Sequence, residues 1–313
     1  MSTVVIGVGA SHSTLMNTHW DDAQDEAGAE RFKAGLDSAR DILKEAQPDA
    51  AVVVGANHFR GFFLDLMPAF TVGVGECSGL GESGTPKGPL PVDTGLARNI
   101  AWGLSERDFD IAISLRLEVD HGITHSLQYL VPELDVPIVP IVINAFTPPL
   151  PSLRRCFALG EAIRDIVQSD GDDKRIAVIA SGGLSHHLPW PKWFAAMTDD
   201  EQFLVEAFLE GRHAWEQYED RRRSIVRSAE SQINEEFDEE FLRILADRDW
   251  DDLLSRSTEE IEQLAGNGGQ EIRNWVVAAA AVDGKGEKLA YEPIENWITG
   301  MAVATLVPDG HPG

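Results

Sequence analysis

The chain has 313 residues, 43% of them apolar, which suits one large core carrying an elaboration better than two independent domains. Its 52 acidic against 26 basic residues give a formal charge of −26, which excludes a nucleic-acid backbone or an anionic membrane as a partner over most of the surface. Cys77 and Cys156, the only two cysteines, are too few for a disulfide framework or a thiolate metal cluster, and no apolar run approaches the roughly 18 residues of a membrane span.

From Met1 the sequence runs straight into the strand-like Val4-Val5-Ile6-Gly7-Val8, with no basic, apolar or cleavage pattern ahead of it, so a cytoplasmic protein is expected. Short β-branched runs at about 3–9, 51–56, 70–75, 111–117, 137–143 and 176–181 alternate with helical stretches at about 22–46, 92–105 and 152–168. That rhythm predicts an α/β fold: a central, mostly parallel or mixed sheet flanked by helices, with most strands buried on both faces. The glycine- and proline-rich stretch from Gly75 to Pro91 predicts a long loop of the kind that serves as a lid or binding loop.

After Pro189 the character changes. Trp190-Pro191-Lys192-Trp193 lead into a charged helical region, so one catalytic domain is expected over 1–313 with a mainly helical elaboration at about 190–265, in the C-terminal third. Arg221-Arg222-Arg223 is its basic cluster; pairing with nearby Asp and Glu on a solvated face is the first reading, binding of a carboxylate the second. The stretch from Leu264 to Gly269 breaks the chain before a predicted helix from Gln270 to Val282, whose Ile272, Trp275, Val276 and Ala279 share one apolar face.

Four histidines stand where a β-run gives way to a turn: His12, His58, His121 and His186. Strand ends are where α/β sheets gather ligand-binding groups, so the four can converge although distant in sequence. Imidazole offers a lone pair and a movable proton near pH 7, and clustered histidines therefore indicate metal ligation, acid/base work or both. His19, His213 and His311 lack that placement; His125 and His187 are candidates for pocket or supporting roles.

A ferrous site in oxygen chemistry takes two histidines and one carboxylate on one face. Glu271 is the preferred carboxylate, because a glycine-rich turn delivers it into the first turn of a helix, where amide dipoles favour negative charge. Glu76 and Glu118 are alternatives. Asp120 reads as a carboxylate that orients a histidine, and Phe59, Phe62, Phe63 and Trp190 read either as an aromatic pocket wall or as core. The run Gly182-Gly183-Leu184-Ser185-His186 does not fit the Gly-x-Ser-x-Gly elbow of a serine hydrolase.

Seven segments in order carry a resemblance. They are Gly9-Ala-Ser-His-Ser13, Asn57 to Phe70, Val119-Asp-His-Gly122, Val139 to Asn144, Ser181 to His186, Glu271-Ile-Arg-Asn-Trp275 and Tyr291 to Ile298. With them the chain resembles the class III extradiol ring-cleaving dioxygenases, the superfamily of the protocatechuate 4,5-dioxygenase catalytic subunit, and within it the 2,3-dihydroxyphenylpropionate 1,2-dioxygenases. The resemblance implies that His12, His58 and Glu271 ligate Fe(2+), that His121 is the general base, and that His186 is the later proton donor. It implies an aromatic-catabolic reaction in which a substituted catechol is opened with insertion of both atoms of O2. The Trp297 segment and the resemblance point to a homo-oligomer. A zinc-dependent hydrolase, or a non-catalytic binding protein on the same fold, is the alternative.

Overall fold

The computed structural model describes residues 1–20 and 26–309, Glu26 by its backbone alone. His311 and the first residues of the helix expected at 22–46 lie outside them. Among the described residues nine strands form one sheet: β1 (Thr3–Ala10), β2 (Ala50–Ala56), β3 (Phe70–Leu80), β4 (Lys87–Leu90), β5 (Ala112–Val119), β6 (Ile138–Ile143), β7 (Arg175–Ser181), β8 (Gly284–Ile294) and β9 (Thr299–Pro308). Their order is β4-β3-β6-β2-β7-β1-β9-β8, with β5 paired to β3.

The central strands β6, β2, β7 and β1 are mutually parallel, while β3 joins β6, and β9 joins β1, antiparallel. The sheet is therefore mixed, as the apolar runs predict. β2 shows why those runs are continuous: Val52 and Val54 enter the core on one face, Ala51 and Val53 the core on the other, so both parities must be apolar. β5 departs from the expectation of two buried faces, for Ile113 is 52% and Leu115 67% exposed.

Among the described residues ten α-helices surround the sheet: α1 (Thr14–Thr18), α2 (Glu26–Glu45), α3 (Thr94–Ser105), α4 (His121–Leu130), α5 (Leu153–Ser169), α6 (Asp199–Arg227), α7 (Glu235–Asp247), α8 (Asp251–Ser255), α9 (Thr258–Ala265) and α10 (Ile272–Val282). α10 packs against α5 and across β1 and β7. It is buried on every side rather than on one face, so its run of alanines is a matter of fit between two layers. The elaboration resolves into α6 to α9: α6 docks through a separate aromatic cluster of Phe59, Phe146, Trp190 and Phe208, while α7 to α9 join the main core through Phe237, Phe241, Leu253 and Ile261.

Two further expectations are corrected. The stretch from Gly75 to Pro91 is mostly not a loop: β3 runs on to Leu80, a turn holds Gly81 and Gly84 at positive φ, and β4 pairs back antiparallel. The glycines serve the turn and the pairing, where φ near +80° excludes most side chains. The second is Trp297, which is fully buried against Trp20 and Phe32, so this side chain offers nothing to a partner subunit.

Candidate active site and metal centre

Three parallel strands end side by side and deliver the first pieces. His12 follows β1 by two residues, His58 follows β2 by two, and the Gly182–His187 turn follows β7. His121 arrives differently: it opens α4 directly after β5, with Asp120 as the helix cap. Contact between β2 and α4 is possible because both carry glycine, since a Cβ on Gly55 would stand 2.1 Å from the Gly122 carbonyl and one on Gly122 2.1 Å from the Ala56 carbonyl. The close approach sets the His121 ring against that of His58, with centroids 3.9 Å apart and planes tilted by 31°.

Phe59, next to His58, has φ of +59°, which is uncommon and strained for a bulky side chain. Its ring is buried and stacks on Phe208 at 4.0 Å, and this packing offsets the backbone cost. The elaboration thus fixes the chain just beyond His58.

Glu271 closes a 3-10 turn at Gly268–Glu271 immediately before α10. Its anchor is not the amides of its own helix, as the sequence suggests, but the Gly183 N–H, which donates to Oε2 at 2.9 Å. Oε1 is buried with no hydrogen-bond partner among the described residues, yet His12 Nε2 lies 3.5 Å from it and His58 Nε2 3.4 Å. Donors at right angles around an ion with bonds of about 2.1 Å stand about 3 Å apart, so each histidine nitrogen lies close to the distance from Oε1 that a shared metal would set. The second nitrogens are also held, His12 Nδ1 by the Ser181 hydroxyl at 2.9 Å and His58 Nδ1 by Asp120 Oδ1 at 3.4 Å, as supporting shells of metal sites require. The ligand atoms of His12, His58 and His121 also lie within 4.8 Å of one another, so these three histidines could share an ion as well.

Electrostatics separate the rings. Burial pushes His12 and His121 well below the usual imidazole range, and both stand neutral at pH 7. For His58 burial is opposed and outweighed by Asp120 and Glu271, which raise it to about 9. Burial would also raise the Glu271 carboxyl, but His12 and His58 hold it below the ordinary value, so the carboxylate stays charged.

His121 has a partner that the sequence did not reveal. Glu82, in the turn between β3 and β4, accepts from the His121 backbone N–H and lies 3.1 Å from Nδ1 with the same oxygen, while its other oxygen is buried and unpartnered among the described residues. His186 Nδ1 faces the Leu184 carbonyl at 2.8 Å, and burial lowers its pKa. Its ring fills the space over Gly268, where a Cβ would stand 2.1 Å from Nε2. Ser185 turns away from His186, donating to Asp238 at 2.8 Å and accepting from the Asn234 N–H, so there is no serine–histidine pair.

The remaining candidates sort by position. Glu76 and Glu118 are exposed and stand away from the cluster, Glu76 paired with Arg116 on the surface. His125 is buried 5.9 Å from His12, with Nε2 unpartnered among the described residues. His187 lines a cavity of about 510 Å³, together with Trp190 and Phe146. Phe59 and Phe63 are core, Phe62 lines another cleft, and Phe146, which contacts His58 at 5.1 Å, escaped the sequence reading. His19 is half-buried beside Thr18, and His213 is exposed.

Over residues 7–302 the chain matches the family described as the catalytic LigB subunit of aromatic ring-opening dioxygenase. It belongs to that family, the class III extradiol dioxygenases, and is an enzyme of the extradiol type. A 2,3-dihydroxyphenylpropionate/2,3-dihydroxicinnamic acid 1,2-dioxygenase of Photorhabdus laumondii subsp. laumondii is 34% identical over 313 residues, covering 95% of this chain and 96% of the relative. The protein of the same description from Rhodococcus jostii is 33% identical over 312 residues, with 95% and 96% covered. Among solved structures, the uncharacterized protein JW3007 of Escherichia coli K12 shares the fold, with a TM-score of 0.50 and 14% identity over 96% of this chain and 99% of that one.

Proposed function

We propose that the enzyme opens a 2,3-dihydroxyphenylpropionate-like catechol beside its paired hydroxyls, inserting both atoms of O2, at an Fe(2+) held by His12, His58 and Glu271. The observation that carries this reading is the buried Glu271 Oε1 without a hydrogen-bond partner among the described residues, faced by Nε2 of both histidines. Two imidazoles and one carboxylate are the donor set of ferrous oxygenases, and such an ion supplies electrons to dioxygen while leaving open positions for substrate.

The chain's own groups handle protons and position. Glu82 Oε1 can accept the Nδ1 proton of His121, which leaves Nε2 as the lone pair that takes a proton from a catechol hydroxyl. Burial keeps that ring neutral and ready. His186 can donate from Nδ1 to Leu184, so its Nε2 is the atom that receives a proton and returns it to a departing oxygen. Phe146 and Trp190, packed beside His58, offer an apolar wall for an aromatic ring.

Residues 1–313 work as one catalytic unit in this reading, because the first and last strands of the chain, β1 and β9, are paired in one sheet. A cytoplasmic setting suits two free, buried cysteines. The exposed Ile113 and Leu115 on β5 support a homo-oligomer better than Trp297 does. No helix among the described residues is long and apolar enough to cross a membrane.

The test is oxygen uptake by protein reconstituted anaerobically with ferrous iron or with zinc. The proposal expects one O2 consumed per 3-(2,3-dihydroxyphenyl)propionate and a yellow ring-opened product with iron alone. Turnover with zinc and no oxygen uptake would give the site to a hydrolase.

A further inference from the structure

Glu219 on α6 is one carboxylate set among three guanidiniums. Arg60 Nη2 lies 2.7 Å from it, Arg222 Nε 3.4 Å and Arg223 Nε 2.5 Å, and Trp215 Nε1 donates to it as well at 2.7 Å. In a chain of net charge −26 this is a local surplus of positive charge. Arg222 is the least satisfied of the three. Its side chain is 18% exposed, and among the described residues neither terminal nitrogen makes a hydrogen bond. The Arg222 guanidinium also faces the Trp215 ring at 5.2 Å, which leaves its terminal N–H donors open to water or to an anion, and a carboxylate matches that fork in a bidentate manner.

The idle fork is linked to the histidine cluster through Glu82, which lies within electrostatic reach of Arg222 and holds His121. Arg222 lines a cleft of about 40 Å³ together with Thr14, Leu15, Ser83, Arg223 and Arg227, room for one small polar group. Thr14 is two residues from His12, and Ser83 follows Glu82, whose carboxylate holds His121. Glu82 is within electrostatic reach of both Arg60 and Arg222. The cleft shares Leu15, Val226 and Arg227 with the lining of a wider one of about 450 Å³. The cavity at Phe146 and Trp190 has the opposite charge: Lys192 there is outnumbered by Asp200, Glu201 and Glu262. An anionic group is drawn to the arginine cleft and repelled from the aromatic one.

From this arrangement we infer that Arg222 binds the carboxylate on the side chain of the catechol, with Arg223 and Arg227 adding to the field, and so sets the preference for acid-bearing substrates. The inference rests on the ring-opening reading above. It assigns the basic cluster of α6 a job that its pairing with Glu219 leaves unexplained.

The test compares kcat/KM of the iron-loaded enzyme for 3-(2,3-dihydroxyphenyl)propionate and for the neutral 3-ethylcatechol, and reads the ratio, which normalises for folding and iron content. Arg222→Gln should lower that ratio by about ten- to hundredfold, as loss of a charge-assisted bond implies, and Arg222→Lys should restore part of it. Calorimetry on the iron-loaded protein without oxygen should show 3-phenylpropionate binding more tightly than 3-phenylpropionamide, with the difference lost in Arg222→Gln. An unchanged ratio in Arg222→Gln overturns the inference, as does a ratio that falls in Lys192→Gln instead. A wild-type enzyme that opens neither catechol refutes the ring-opening reading, whereas one that opens both with an unchanged variant ratio refutes the arginine subsite alone.

Discussion

Asp120 grips His58 at two atoms: Oδ2 accepts the backbone N–H at 2.5 Å, and Oδ1 lies 3.4 Å from Nδ1 of the ring. Oδ1 also accepts the Gly122 N–H at 2.9 Å, capping α4. One carboxylate therefore ties the end of β2 to the start of α4 and sets the distance between His58 and His121. Asp120→Ala should weaken metal binding by about ten- to hundredfold, the usual effect of losing a ligand's supporting carboxylate. Competition with a chelator measures it, and an unchanged affinity would remove Asp120 from the metal's support.

His58 stands near 9 without metal, and a metal ligand must be a neutral imidazole. The sign follows from the raised value. Metal-free protein holds the proton below about 9, so that stabilisation is fully present below 6.5 and disappears as the pH rises through 9. Metal uptake between those limits should release about one proton, and affinity should climb about tenfold per pH unit. Calorimetry in buffers of different ionisation enthalpy reads the proton directly; buffer-independent heats would mean that His58 binds metal without releasing a proton.

The proposed proton-moving roles of His121 and His186 imply that losing either ring should spare the metal. His121→Phe and His186→Phe should keep iron and lose about 10² to 10⁴ in kcat, while Glu271→Ala should lose iron first. Gly268→Ala is a subtler probe, because the new methyl would stand 2.1 Å from His186 Nε2 and displace the ring. Its turnover should fall with iron content unchanged. Normal iron in Glu271→Ala would reassign the carboxylate.

Asp238 accepts from Ser185 N–H, Ser185 hydroxyl and Tyr291 hydroxyl, and burial, exceeding these bonds, raises it to about 6. With a folded value above the unfolded 3.8, its contribution to stability is fully present below 3.8 and is lost as the pH rises through 6. Asp238→Asn should therefore flatten the fall in melting temperature between pH 4 and 7. Parallel curves for variant and wild type would show that Asp238 is ionised throughout.

What the sequence makes visible follows from burial. β1, β2, β6 and β7 are apolar on both faces, so they stand out, and the histidines beyond them are legible as a set. β8 is hidden because Lys285, Glu287, Lys288 and Glu292 give it the look of a loop, although β9 pairs along its length. The four-residue strand β4, with Pro89 and Gly88, carries no strand signal at all. Glu82 and Asp238 escape for a different reason: each reaches its partner across more than 35 residues, through contacts that periodicity does not encode. Glu271 is legible by its glycine-rich approach, but its anchor on Gly183 belongs to another loop.

The most direct test is anomalous diffraction from crystals loaded with ferrous iron under anaerobic conditions. The account predicts a single iron bonded to His12 Nε2, His58 Nε2 and Glu271 Oε1, with His121 and His186 near it but not bonded. Iron seated among Glu82, Asp120 and His121, or bonded to His12, His58 and His121 in place of Glu271, would contradict it; among the described residues both groups could hold an ion.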